Sequence, residues 1–221
     1  IRDITSENEA ASMIGYVTMG MSIIPLFAPG IGGLIQMLVG WPSIFLIMSL
    51  LGLLLFLLVY RDLGETKTIK INKNKKSSVS YIYLFREVKF WGYSLTLAFS
   101  AGTFFSFLGG APYIATKVYE LNSVVSGLVM GFPAAGYFFG NYLSGKYSKL
   151  YGKDFMALRG ILLVILGMFI CLLITVFYRD TPYFFFGLCS FVGLGNGLII
   201  PNASVGILSV NENLSGTAGG I

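Results

Sequence analysis

The chain contains no histidine, and its two cysteines, Cys171 and Cys189, both fall within apolar runs. The missing histidine removes the commonest metal ligand and general base near neutral pH. Cysteines placed this way read as small core residues, not as a disulfide framework or a metal site. Charge is scarce as well. Asp, Glu, Lys and Arg make up 11% of the residues, and none of them occurs from Ala10 to Tyr60. No apolar run offers paired carboxylates or a nucleophile beside a base, so the composition argues against an enzyme. An initiating Met and a signal-peptide pattern are also lacking. The chain opens on a charged segment, Ile1 to Glu9, and stops at Leu214 to Ile221 as though entering another helix. A piece of a longer protein is expected.

Apolar surface is abundant. Hydrophobic residues are 55% of the chain and the mean hydropathy is +0.78, which requires lipid as the solvent. The expected fold class is all-α, a polytopic transmembrane helical bundle. The net charge of +5 does not point to nucleic acid, because its placement is uneven. Of fifteen Lys and Arg residues, eight lie between Arg61 and Lys89 and four between Lys146 and Arg159. Both clusters flank apolar spans on one side of the membrane, as the positive-inside bias requires, with Lys117 and Arg179 on the other side.

The uncharged run from Ala10 to Tyr60 is long enough to cross a bilayer twice, with a break at Gly40-Trp41-Pro42. Its first span holds Gly15, Gly20, Gly30, Gly32 and Gly33, with Pro25 and Pro29. Glycine admits close backbone approach, and proline bends a helix where neighbours satisfy the freed carbonyls. This span is therefore expected to pack inside the bundle and to bend near its far end. The next, about Ser43 to Tyr60, is Leu-rich and expected to face lipid. Residues 61–89 form a basic connection whose patch from Lys70 to Ser78 reads as a flexible linker or as a contact for anionic head groups.

The span from Phe90 to Thr116 is aromatic-rich, and Phe104 and Phe107 share a helical face. They either line a cavity for an apolar ligand or pack against helices and lipid. Between Asn122 and Ser144 come two pairs of small residues, Gly127 with Gly131 and Gly136 with Gly140, separated by Pro133. A spacing of four places each pair on one face, fit for helix contact. Asn141 needs a partner inside the membrane. The segment from Gly145 to Asp154, with Gly152 and Lys153, reads as a tight basic turn. A plain apolar span follows from Gly160 to Tyr178. The last, about Tyr183 to Val205, carries Asn196 and Asn202, which either bond between helices or line a water-filled cavity.

These residues carry a resemblance. The stretch Gly15 to Gly33 resembles the fifth-helix antiporter motif of the major facilitator superfamily, G-x8-G-x3-G-P-x2-G-G. Gly15, Pro29, Gly32 and Gly33 match it, while Ile24 and Ala28 stand where the pattern has glycine. With Pro25 before it, the A-P-x-x-G-G form is most similar to the bicyclomycin-resistance (Bcr/CflA) branch of drug:proton antiporters. Arg2-Asp3, Leu63-Gly-Glu-Thr66 and Gly197-x3-Pro201-Asn202-Ala203 resemble pieces of the same branch. Gly145, Gly152 and Lys153 fit the facilitator loop motif between helices eight and nine, but Lys149 replaces its acidic residue and Asp154 its last base.

The resemblance implies helices five to ten of a twelve-helix transporter. Residues 1–60 would be the rear of the first half, 61–89 the central cytoplasmic loop, and 90–221 most of the second half. It sets helix eight beside helix five. It further implies export of drugs or small amphipathic molecules by alternating access, with a proton gradient and no cofactor, across the bacterial inner membrane. The family's acidic residues in the first helix and its Arg motif in the fourth lie outside this chain, so the missing helices would be its partners. The alternatives are a permease of another branch for a sugar, peptide or osmolyte, and a non-transporting remnant or scaffold.

Overall fold

A computed structural model describes residues 6–62, 85–177 and 181–210, and among these the regular structure is helical. Helix α1 covers Glu7–Met21, α2 Ile23–Val39 and α3 Pro42–Asp62. Helix α4, Val88–Tyr113, runs on through a wider π turn at Ile114–Val118. It is followed by α5 (Ser123–Tyr151), α6 (Lys153–Phe177) and α7 (Pro182–Ser209). With α1 and α2 taken together, the described residues give six stretches long and apolar enough to cross a membrane. The Arg2-Asp3 pair, Leu63 to Thr66, the patch from Lys70 to Ser78, Arg179 and Leu214 to Ile221 lie outside the described residues.

Local chemistry sets the helix ends. Gly40 and Gly152 stop α2 and α5 with φ of 94° and 84°, a region that residues with a Cβ avoid. The Asn122 side chain accepts a hydrogen bond from the Val125 N–H and caps α5. Pro182 opens α7, where its missing N–H is harmless.

Two expectations are corrected here. The first span is interrupted at Ser22, near its middle, while α2 runs through the far end, where the bend was expected, as helix to Val39. Pro25 has no N–H to offer the Met21 carbonyl, so the ladder fails one turn ahead of the proline. The expected turn from Gly145 to Asp154 is mostly helix. Helix α5 continues through a buried Gly145 to Tyr151, the turn is confined to Gly152, and Lys153 already begins α6. Nothing between Gly145 and Tyr151 breaks the hydrogen-bond ladder, and 29 residues at 1.5 Å each give α5 a length of about 44 Å.

Helices α5 and α7 form the centre. The most extensive contacts are α5 with α7 and α6 with α7, followed by α2 and α1 against α5. Helix α4 packs chiefly on α7. Helix α3 is exposed along most of its length and meets the bundle through α2.

Candidate transport interface

The glycines explain why α5 sits between two neighbours. At about 100° per residue, Gly127 and Gly131 lie on one side of α5, and Gly136 and Gly140 on the opposite side. The first pair meets α2. A Cβ at Gly127 would overlap the Pro29 carbonyl, and one at Gly131 would lie 3.0 Å from the Leu26 carbonyl oxygen. The second pair meets α7, where added carbons would overlap the carbonyl oxygens of Ser190 and Leu194. Helix α7 answers with its own glycines: Gly193 abuts the Pro133 carbonyl, and a Cβ at Gly197 would come 2.6 Å from the Asn141 nitrogen. Backbone thus meets backbone on both sides of α5. That is how helices gain attraction where lipid competes for every apolar side chain.

The Gly15–Gly33 stretch lies along the first of these faces. A Cβ at Gly15 would sit 2.6 Å from the Gly145 nitrogen, and one at Gly33 would sit 2.5 Å from the Ser123 carbonyl oxygen. Gly32 differs from its neighbour, with no atom within 4 Å of such a carbon. Pro25 is exposed, and Pro29 touches α5 through its carbonyl. The helices assigned by resemblance as five and eight are therefore in contact along the span.

Polar side chains reinforce the end of this contact nearest the basic cluster. The Thr18 hydroxyl donates to Asn141 Oδ1 at 2.5 Å, and Asn141 Nδ2 donates to the Tyr137 carbonyl at 2.9 Å. The Ser12 hydroxyl donates to the Gly145 carbonyl. Lys149 Nζ pairs with Glu9 at 2.7 Å, both partners partly open to solvent. Ala10 and Ala11, fully buried, pack with Val205 of α7.

The other asparagines serve as interhelical bridges. Asn196 and Ser100 bond reciprocally between α7 and α4: the hydroxyl donates to Oδ1 at 2.7 Å, and Nδ2 donates to the Ser100 carbonyl at 2.9 Å. Asn202 Nδ2 donates to Ser144 Oγ and to the Leu198 carbonyl, each at 2.8 Å. Its Oδ1 is buried with no partner among the described residues. Asn141 and Asn202 have no exposed surface and sit between helices.

Two apolar clefts follow one another along α4, α6 and α7. The larger, about 550 Å³, is lined by Phe99, Thr103, Phe107, Met168 and Phe185. The smaller, about 340 Å³, shares Phe99 and Thr103 and has Asn196 on its wall. Phe107 also packs edge-on to Phe186. Phe104 lines neither cleft and pairs with Phe105.

Several contributors escaped the sequence reading. The α6 span read as plain, yet Gly160 meets the Gly195 carbonyl and Gly167 meets the Phe191 ring. Their spacing of seven, two helical turns, was the available signal. Both residues that break the loop motif have partners: Lys149 has Glu9, and Asp154 accepts a hydrogen bond from the Tyr93 hydroxyl at 2.5 Å.

Comparison with known proteins places this arrangement. No solved structure matches the chain. Among curated proteins it is 25% identical over 99% of its length to a bicyclomycin resistance protein homolog of Haemophilus influenzae, covering 55% of that protein. It is 24% identical over its whole length to multidrug resistance protein D of Escherichia coli, again covering 55%. It is 26% identical over 68% of its length to an uncharacterized MFS-type transporter of Bacillus subtilis, covering 39%. The chain thus spans about half the length of the curated relatives it matches over its full extent. The profile of the Major Facilitator Superfamily matches residues 1–221, and with its six membrane-crossing stretches the chain is an integral membrane protein belonging to that superfamily.

Proposed function

We propose that the protein exports drugs or small amphipathic molecules across the bacterial inner membrane, driven by inward proton flow. The observation that carries this reading is the seating of the Gly15–Gly33 stretch on α5. The motif that resembles the antiporter signature is the surface along which the two assigned halves meet. Relatives named for bicyclomycin and multidrug resistance support the drug class. In this reading the halves rock about a central site that opens alternately to either side. The titratable group that couples protons belongs to the parts of the transporter beyond this chain, and the clefts beside α4 supply apolar wall.

The test is proton-coupled efflux by the full-length parent in inside-out vesicles, with a fluorescent cationic dye and bicyclomycin as probes. Addition of substrate should collapse a preset proton gradient, and Gly33→Val should abolish the collapse. Substrate movement without proton movement would instead assign a permease of another branch. No movement of any probe would leave a non-transporting role.

A further inference from the structure

Cys171 and Cys189 are buried, as expected of small core residues, but they also face one another across the seam between α6 and α7. The contacts of that seam climb α6 as they descend α7. Gly160 meets the Gly195 carbonyl with the Leu198 and Ile199 side chains, Val164 meets Gly195, and Gly167 meets Phe191. Four residues farther on, Cys171 comes level with the turn of α7 that holds Gly187 to Cys189. The contact is direct, because the two thiols share a hydrogen bond. They are 3% and 2% exposed, and each lies about two helical turns inside the end of its helix.

Cys189 also belongs to the wall of the larger cleft, beside Phe107, Met168 and Phe185. The thiol pair therefore borders open apolar space on its α4 side. Few thiol-seeking groups suit such a place. A divalent metal ion needs thiolates and would bring charge into an apolar wall. A disulfide needs an oxidant to remove two electrons. A trivalent organoarsenical needs neither. In R–As(OH)2 and two thiols, two As–O and two S–H bonds break, two As–S bonds form, and two waters leave. Arsenic stays trivalent and the product is neutral. Thiols already in hydrogen-bond contact need little movement to share one arsenic atom. The third substituent on arsenic is then R, and the rings of Phe107 and Phe185 suit an aryl group.

We propose that Cys171 and Cys189 form a dithiol site that chelates the arsenic of a trivalent aryl arsenical, with the aryl ring in the cleft beside α4. Binding would staple α6 to α7 at the end of their seam away from Lys153. The inference does not rest on the transport reading.

The probe is phenylarsine oxide, which hydrates to phenylarsonous acid. It is applied to inside-out vesicles holding the full-length parent with every other cysteine replaced by Ala. The vesicles are washed with excess 2-mercaptoethanol, a monothiol, and the protein is then unfolded in detergent and treated with a maleimide. Intact-mass spectrometry should show one phenylarsenic group and no maleimide on the protein. Treatment with 2,3-dimercaptopropanol before unfolding should return both thiols to the maleimide. Cys171→Ala and Cys189→Ala each leave a single arsenic–sulfur bond, so retention through the wash should fall at least about a hundredfold. Arsenite would put a hydroxyl where the ring sits, and its retention should be lower by about tenfold or more. Two arsenic groups on one protein, equal retention by a single-cysteine variant, or no adduct on the folded parent would each overturn the chelate. Arsenite held as firmly as the phenyl compound would overturn the place of the ring. If a single-cysteine variant does not fold, the parent decides alone: one arsenic blocking both thiols is chelation, and any other ratio refutes it.

Discussion

The adjacent glycines 32 and 33 separate a packing requirement from a mere motif match. Ala at Gly33 would place its Cβ 2.5 Å from the Ser123 carbonyl oxygen and 3.2 Å from the Val124 Cα. Both are backbone atoms in the first turn of α5, so no rotamer change relieves the clash. Restoring ordinary contact at 3.4 Å requires the helices to part by roughly 0.9 Å. Overpacking of this kind costs about 1–3 kcal/mol. Ala at Gly32 meets nothing within 4 Å, and removing a helical glycine gains up to ~1 kcal/mol of propensity. The two substitutions should therefore differ by about 1–4 kcal/mol in stability. The assay is thermal unfolding of the detergent-solubilised full-length parent, followed as the surviving monodisperse peak. Gly33→Ala should melt well below the parent, and Gly32→Ala at or slightly above it. Equal losses would refute the close-packing argument and return both glycines to a role outside this interface.

Two further predictions test the centre of the bundle. Gly193→Ala drives a carbon into the Pro133 carbonyl between two long helices, whereas Gly187→Ala on the same helix meets open space. In the same melting assay the first should abolish the folded peak and the second should leave it unchanged. Asn196→Leu removes both reciprocal bonds with Ser100 and leaves that hydroxyl in apolar surroundings. With membrane hydrogen bonds averaging ~0.6 kcal/mol each, a loss of about 1–2 kcal/mol is expected. Ser100→Ala in the same background should then add no further loss.

How much of this was legible depended on whether a feature was local to one helix. The span count and the break at Gly40 depend on neighbouring residues alone, and periodicity or turn chemistry exposes them. The small-residue pairs of α5 announced close contact, while their partners came only through resemblance. The Glu9–Lys149 pair was not legible, because it joins residues far apart in the chain and depends on how two helices cross. Gly160 and Gly167 were passed over because a leucine-rich surround makes any single glycine look incidental. Asn202 has two open readings, bridge or cavity wall, and Asn141 needs a partner, and composition has no means of naming either one's neighbours. The structure gives both a bridging partner, Thr18 for Asn141 and Ser144 for Asn202. The interruption precedes both prolines because the Met21 carbonyl, which Pro25 leaves without a donor, lies four residues earlier.

The phase of α5 ties these observations together. Starting from Gly127, successive steps of about 100° return Gly131 and Gly145 to nearly the same side, with Asn141 close to it. Those residues face α2 and α1. Gly136 and Gly140 fall about half a turn away, with Ser144 nearer to them, and that side meets α7. One uninterrupted helix therefore carries two separate contact stripes, and the five-residue step from Gly131 to Gly136 is what separates them. A four-residue step would have merged the stripes into one face and left α5 with a single partner. The polar members of each stripe cluster toward the basic end, and the first stripe holds only glycine contacts farther out. Gly15 against Gly145 continues the glycine packing to the basic end, so the polar bonds there supplement backbone contact and do not replace it. This division of one helix surface lets α5 hold the first span on one side and α7 on the other.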